Sequence, residues 1–385
     1  MKNSGGRIYL DHNATTPLDP RVLEAMLPYL SEHFGNASSI HAEGRAARVA
    51  VDNARSQVTS FLSAREEEIY FTSGGTESNN LAIQGIAWRL GKGKVRLVTS
   101  TVEHHAVLKP MQRLAEKGFE LTVLPVDRYG RIEPGDLRQA LQTGGTAFVS
   151  IIAASNEVGT IQPVKELGTI CRDHGALFHV DAVQAAGRLA IDLSKLPIDL
   201  LSLSAHKIYG PKGVGVLYVR RGVELDPLIL GGSQERRIRA GTENVAGIVG
   251  LGKSCELCSA GLEETNTRLA ALRDRLWQGL AEKLSGVYLN GHPTERLSNT
   301  LNISFDRVEG EALLLNLDLK GIAVSTGSAC SSGSLEPSHV LTAMGVSVEL
   351  VQNSVRFSLG RGNTEEEIDR AIEAVIEAVT RLRKI

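Results

Sequence analysis

Three stretches of this sequence place reactive side chains where they could do chemistry. "FTSGGTESNN" (71–80) ends a β-rich run at Gly74 and Gly75 and opens a helix at Thr76 or Glu77. Glycines let the backbone turn tightly against a ligand, and a helix start offers unpaired N–H groups to an anion. "HVDAVQAAG" (179–187) puts Asp181 at the C-terminal end of a buried-looking strand. A carboxylate there points into the crevice where α/β sheets hold ligands. "SLSAHKIYGPKG" (202–213) sets Lys207 directly after a strand, with Ser204 and His206 beside it. A lysine partly desolvated at such a strand end can form a Schiff base. Taken singly, each stretch also fits an ordinary turn, a helix N-cap or a surface lysine. Taken together they match the needs of pyridoxal phosphate, which requires a lysine for its aldehyde, an acid for its pyridine nitrogen and a cradle for its phosphate.

A fourth stretch, "STGSACSSGS" (325–334), places Cys330 among small and hydroxylated neighbours, between Gly327 and Gly333. A structural cysteine sits among apolar residues and behaves as a small hydrophobe. Cys330 instead has the surroundings of a mobile loop that presents a thiol. The other three cysteines read differently. Cys171 fits a helical core pattern, and Cys255 and Cys258 lie three apart on an expected helix without a second pair at metal spacing. His12, His33 and His41 carry no ligand signal by spacing.

The elements that must position these residues follow from periodicity. Residues 68–73, 95–100, 120–126, 147–155, 176–183, 199–206 and 213–219 read as strands, with helix candidates such as 77–90 and 164–173 between them. That alternation predicts an α/β fold with a mostly parallel central sheet covered on both faces by helices. After Gly241 the pattern changes. Residues 244–285 are helix-compatible, "TLNISF" and "SVRFSL" read as strands, and a last helix starts at Glu365. Thr364 and Glu367 suit a capping box for it, and Ile368, Ile372, Val375, Val379 and Leu382 form one apolar stripe. The expected division is a large domain of residues 15–260 and a smaller α+β domain of residues 1–14 and 261–385, the latter carrying the Cys330 loop (325–336).

Length and composition agree with that division. A chain of 385 residues exceeds the usual size of one hydrophobic core. A formal charge of −2 argues against a polyanion-binding surface, so no direct nucleic-acid binding is expected. Four cysteines make no disulfide framework, which points to a reducing cytosol. The N-terminus lacks the apolar run of a signal peptide, and no stretch approaches a membrane span, so a cytoplasmic protein is expected.

Ordered matches run from about Leu10 to the C-terminus: "LDHNATTPLDP", "FTSGGTESNN", "TVEHHAVL", "NEVGTIQPV", "HVDAVQAAG", "SAHKIYGPKG", "GGSQERRIRAGTENVAG", "STGSACSSGSLEPSHVLTAMG" and "VRFSLGR". On these the chain resembles the NifS-like cysteine desulfurases, fold-type I pyridoxal-phosphate enzymes of the class V aminotransferase family. The resemblance implies that Lys207 binds the cofactor covalently and that Asp181 pairs with the pyridine nitrogen. Gln184 and Asn156 would lie near the ring hydroxyl, and His104 would stack on the ring, a role that His105 does not match. Gly75, Thr76, Ser204 and His206 would hold the phosphate, joined by Thr242 from the other subunit of a homodimer. Arg356 would pair with the substrate carboxylate, with Asn13 and Asn156 close to the substrate. Cys330 would attack the sulfur of L-cysteine, leaving a persulfide and L-alanine, with Lys207 taking the α-proton and His104 assisting.

The same resemblance implies delivery of that sulfur to an acceptor protein such as an iron–sulfur scaffold. No resident metal is implied, beyond a transient contact of Cys330 with iron–sulfur cargo. Ala37 and Ser155 depart from residues common in relatives without removing a catalytic group. The chain stops at Ile385, after the last helix, where housekeeping relatives carry a scaffold-docking tail, so the shorter NifS-like type is expected. The alternatives are a selenocysteine lyase, an aminotransferase on the same fold, which would not need Cys330, and a non-catalytic subunit, which would not need Asp181, His206, Lys207 and Cys330 together.

Overall fold

The structure, a computed structural model, describes residues 6–142, 144–326 and 337–384. Among them the strands are β1 (Ile8–Tyr9), β2 (Ile69–Thr72), β3 (Val95–Ser100), β4 (Glu120–Leu124), β5 (Thr146–Ile152), β6 (Leu177–Asp181), β7 (Leu200–Ser204), β8 (Gly215–Val219), β9 (Val287–Asn290), β10 (Thr300–Phe305), β11 (Ile322–Ala323) and β12 (Ser354–Ser358). Seven of them form the central sheet in the order β2-β8-β7-β6-β5-β3-β4. Only β8 runs against its neighbours β2 and β7. It follows β7 across residues 205–214, a connection shorter than the crossover a parallel neighbour needs.

The buried strands are apolar on both faces because helices cover both. Helices Ala42–Leu62 and Val245–Ala260 close one face through Val51, Val58, Ile248 and Leu251. Helices Gly75–Leu90 and His105–Glu116 close the other through Leu81, Ile86, Val107 and Leu114. The edge strand β4 is less buried, with Glu120 and Val123 exposed and Leu124 buried. Cys171 is buried, as its helical core pattern led one to expect, and Cys255 and Cys258 are buried too.

A second core joins Ile8 and Leu10 to residues 269–379. Here β1 pairs with β11, and β10 lies between β9 and β12 in an antiparallel sheet. Helices Leu262–Lys283 and Glu365–Leu382 cover that sheet. Ile368, Ile372, Val375 and Val379 are buried along one stripe of the last helix, each worth about 1.5–3 kcal/mol. Only half of the expected capping box forms. Thr364 Oγ1 accepts the N–H of Glu367 at 3.3 Å, but the Glu367 carboxylate accepts from Asn363 Nδ2 at 2.9 Å instead of turning back to the cap.

Of the expected strands that end early, three do so at the crevice. The runs 147–155, 176–183 and 199–206 continue apolar or β-like past the sheet, yet β5, β6 and β7 stop at Ile152, Asp181 and Ser204. The chain leaves the sheet there because those C-terminal edges form the mouth of the crevice. The expected helical stretch 244–285 is two helices bent by 75° at Gly261. Among the described residues no single helix is long and apolar enough to cross a membrane.

Candidate active site

The three strand ends converge on one cavity of about 330 Å³, within the range typical of small-ligand sites. Asp181, the last residue of β6, is buried, and both its oxygens are held. Oδ2 accepts from Asn79 Nδ2 at 2.7 Å and Oδ1 from the Val183 N–H at 3.0 Å. Successive strand side chains point to opposite faces. Accordingly Val180 and Ala182 line a larger, mostly apolar cavity of about 630 Å³ on the other side of the sheet. None of the Asp181–Lys207 cluster reaches that larger space, so the chemistry belongs to the smaller one.

Lys207 ends the 3₁₀ turn Ala205–Lys207 that follows β7. Its Nζ donates to the carbonyl of Ala14 at 2.8 Å and to that of Asn13. Asn13 is the junction of the two cores. Its Nδ2 donates to Thr300 Oγ1 at 2.9 Å and to the Asn156 carbonyl at 3.1 Å, and its Oδ1 accepts from Asn299 Nδ2 at 2.9 Å. Gln184 Nε2 reaches the Asn13 carbonyl at 2.9 Å.

Arg356, on β12, is 1% exposed. Its guanidinium donates to the Asn156 carbonyl at 3.0 Å and to Asp11 Oδ1 at 2.8 Å, while its buried Nε has no partner among the described residues. Arg356 lines the cavity, and a guanidinium there suits an incoming carboxylate.

At the opposite end, the helix Gly75–Leu90 points its first turn into the cavity. Gly74 adopts φ +152°, and a Cβ on Gly75 would lie 2.5 Å from Val183 Cγ2, so bulk is excluded where a ligand must approach closely. Gly75, Thr76, Ser204 and His206 line this end. They offer helix N–H groups, two hydroxyls and an imidazole, a donor set fitted to a phosphate. Burial, with Lys207 and Lys212 adding to it, lowers the His206 pKa to about 4, and its Nδ1 lies 3.1 Å from Thr15 Oγ1.

His104 caps the helix His105–Glu116 and lines the same cavity. Its Nδ1 accepts the Ala106 N–H at 3.0 Å, which leaves the proton on Nε2. Burial lowers its pKa against the pull of Asp181, so the ring is neutral at neutral pH.

The cavity thus gathers Asn13, Gly75, Thr76, His104, Asn156, Asp181, Gln184, Ser204, His206, Lys207 and Arg356. Thr242 does not line it and is exposed on the segment before the helix Val245–Ala260. Cys330 lies outside the described residues. The residues flanking its stretch are anchored beside the site. Ser325 exchanges backbone hydrogen bonds with Arg356, and Ser338 Oγ donates to Glu157 at 2.5 Å.

Sequence reasoning assigned no role to Asn79, Asp11, Asn299 or Thr15. Asn79 had a usable signal, since it follows Gly75 by four residues on one helix face. Asp11 stood inside a quoted motif without a partner until the fold brought Arg356 to it. Glu103, beside His104, was also passed over. It is fully buried, accepts from Ser100 Oγ at 2.5 Å, and has its carboxyl pushed well above the usual range by burial and by Asp181.

The family model described as Aminotransferase class-V matches residues 8–371. The chain belongs to the class-V aminotransferase family, among its NifS-like cysteine desulfurases. It is 55% identical to "Cysteine desulfurase IscS" of Methanosarcina thermophila over 379 residues, 98% of this chain and 93% of that protein. To the protein of the same name from Dictyoglomus turgidum it is 51% identical, covering 98% and 96% of the two chains. A solved structure titled "NIFS-LIKE PROTEIN" superposes with a TM-score of 0.92 at 40% identity, over 97% of this chain and all of that one. Another, titled "SspA in complex with cysteine", reaches 0.82 at 37% identity, over 91% and 98%. The family is pyridoxal-phosphate-dependent and of fold type I, in agreement with the α/β sheet and with the donor set just described.

Proposed function

We propose that this chain removes sulfur from L-cysteine, releasing L-alanine and holding the sulfur as a persulfide on Cys330. The observation that carries this reading is the meeting of Lys207, Asp181 and Arg356 in one cavity with a phosphate-type donor set at its far end. When bound, pyridoxal phosphate supplies an electron sink for a substrate carbanion.

The protein's part is to bind, orient and move protons. Asp181, fixed by Asn79 and Val183, would hold the protonated pyridine nitrogen. Gly75, Thr76, Ser204 and His206 would hold the phosphate, and His104, Asn156 and Gln184 would flank the ring. Arg356 would take the substrate carboxylate, with Asn13 and Asn156 close by. Lys207 holds the cofactor at rest and then takes the α-proton of L-cysteine at Nζ. The Cys330 thiolate forms a bond to the substrate sulfur as the carbon–sulfur bond breaks, and the electron pair left on carbon takes up a proton to give alanine. His104, neutral at neutral pH, would pass protons in this exchange. Anchoring of Ser325 and Ser338 next to Arg356 and Asn156 supports delivery of Cys330 to the site.

A homodimer completes the site in this reading, with Thr242 reaching the partner's phosphate. Support comes from the exposure of Thr242 and of the apolar side chains Leu23, Leu27, Leu30, Phe34, Ile40 and Leu230. The persulfide passes to the thiol of an acceptor protein, for iron–sulfur assembly or another sulfur-containing product. A reducing cytosol is the setting we assign, in keeping with the free thiols of Cys171, Cys255 and Cys258.

The test is product analysis. Incubation with L-cysteine and a dithiol should yield L-alanine and sulfide in equal amounts, and Lys207→Ala should yield neither. A keto acid that retains the sulfur, formed without L-alanine, would mark an aminotransferase and overturn the reading.

A further inference from the structure

The helix start that lines the cavity also carries a negative charge. Glu77 is the third residue of the helix Gly75–Leu90, next to Thr76, and its side chain is 13% exposed. Its Oε2 accepts the Ser73 N–H at 2.8 Å, which folds the carboxylate back over the helix end. Burial opposes ionisation there, but hydrogen bonds from Arg239 and Ser73 hold the carboxyl below its usual range, so it is charged. A phosphate bound at this helix start brings close to two further negative charges at neutral pH. The helix end offers only about half a positive charge against them.

The compensating cation comes from a distant segment. Arg239 Nε donates to Glu77 Oε1 at 2.9 Å and its Nη2 to Oε2 at 3.3 Å, a two-point contact of half-buried groups. Arg239 lies three residues before Thr242, on a stretch where Glu235, Arg236 and Arg237 all take positive φ, so a costly backbone path delivers it. The path is itself pinned, since Glu235 is locked to buried Arg55 at 2.7 Å and to the Phe71 N–H at 2.9 Å.

We propose that Arg239 is a charge-balancing residue for cofactor binding, neutralising Glu77 so that the phosphate meets donors and the helix dipole instead of an uncompensated carboxylate. The inference rests on the phosphate cradle proposed above. It says that the Arg239–Glu77 pair acts on the phosphate specifically, and not as a general brace of the fold.

The experiment compares pyridoxal phosphate with pyridoxal, which lacks the phosphate, by titrating each into the cofactor-free full-length protein and following the visible absorbance. Arg239→Gln should weaken pyridoxal phosphate roughly tenfold or more while leaving pyridoxal nearly unchanged. Arg239→Lys, which keeps the charge, should stay close to the unaltered protein. Glu77→Gln combined with Arg239→Gln should restore most of the lost affinity, because the uncompensated carboxylate is gone. Equal losses for both ligands in Arg239→Gln, or a double variant as weak as the single one, would overturn the proposal. Thr76→Val separates it from the cradle itself. If Thr76→Val weakens only pyridoxal phosphate while Arg239→Gln weakens neither ligand, the cradle stands and the role of Arg239 falls. If Thr76→Val weakens both ligands alike, the cradle is wrong and this inference falls with it.

Discussion

Replacing Arg356 by glutamine should separate substrate binding from the rest of the site. The guanidinium is buried and makes two fixed contacts, to the Asn156 carbonyl at 3.0 Å and to Asp11 Oδ1 at 2.8 Å. Two costs follow from its loss. A charge-assisted hydrogen bond to the substrate carboxylate is worth about 1.5–3 kcal/mol. Asp11 is also left facing that carboxylate, and two like charges about 5 Å apart in a protein-like dielectric repel by up to roughly 3 kcal/mol. With part of the repulsion relieved by solvent, since the Asp11 side chain is 19% exposed, the total should come to about 3–4 kcal/mol, or about 10²–10³-fold in affinity. The assay is the KM for L-cysteine together with the dissociation constant of L-alanine, read from the visible absorbance of the cofactor-loaded protein. Adding Asp11→Asn to Arg356→Gln should recover about tenfold of the loss, because it removes the repulsion and not the missing bond. Unchanged amino-acid affinity in Arg356→Gln would refute the reasoning, and so would further weakening in the double variant.

Asn79→Ala should weaken retention of pyridoxal phosphate by about 10–100-fold, because it removes a 2.7 Å hydrogen bond to a buried carboxylate, and reconstitution followed by absorbance would show it. Unaltered retention would mean that Asp181 is positioned without it. His179 predicts a pH dependence of stability. It is buried between Ser150 Oγ at 2.8 Å and Ser202 Oγ at 2.9 Å, and burial lowers its pKa to about 3. Below pH 6.5 the unfolded chain takes a proton that folded His179 refuses, so stability is lost on acidification through the window from about 6.5 down to 3, at about 1.4 kcal/mol per pH unit. His179→Gln should flatten denaturant-measured stability between pH 6.5 and 5 by about 2 kcal/mol, and an unaltered slope would contradict that assignment.

What was legible in the sequence was what one strand end or one turn can express. Asp181 and Lys207 could be read because each is a charged residue at the end of a strand-like run, and Gly75 because a glycine pair separates a strand from a helix. The alternation of runs was enough for the parallel sheet but not for its limits. Ala153–Ser155 and Ala182–Val183 keep strand-like composition after leaving the sheet, since all but half-buried Val183 stay buried. Partners far apart in sequence were not legible. Asn79 and Asp181 are 102 residues apart, Asp11 and Arg356 345, and only the closed fold shows which polar side chain meets which. The half-formed cap at Thr364 has the same cause, because Asn363 competes for Glu367 in a way that the spacing of Thr364 and Glu367 cannot reveal.

The central claim is that sulfur leaves L-cysteine by way of Cys330. The most direct measurement is mass spectrometry of the protein after one turnover with sulfur-labelled L-cysteine and no acceptor thiol, followed by peptide mapping. The account predicts one added labelled sulfur atom on the peptide containing Cys330, and in Cys330→Ser no labelled protein and almost no L-alanine. Labelled sulfur on Cys171, Cys255 or Cys258, or full L-alanine production by Cys330→Ser, would contradict it.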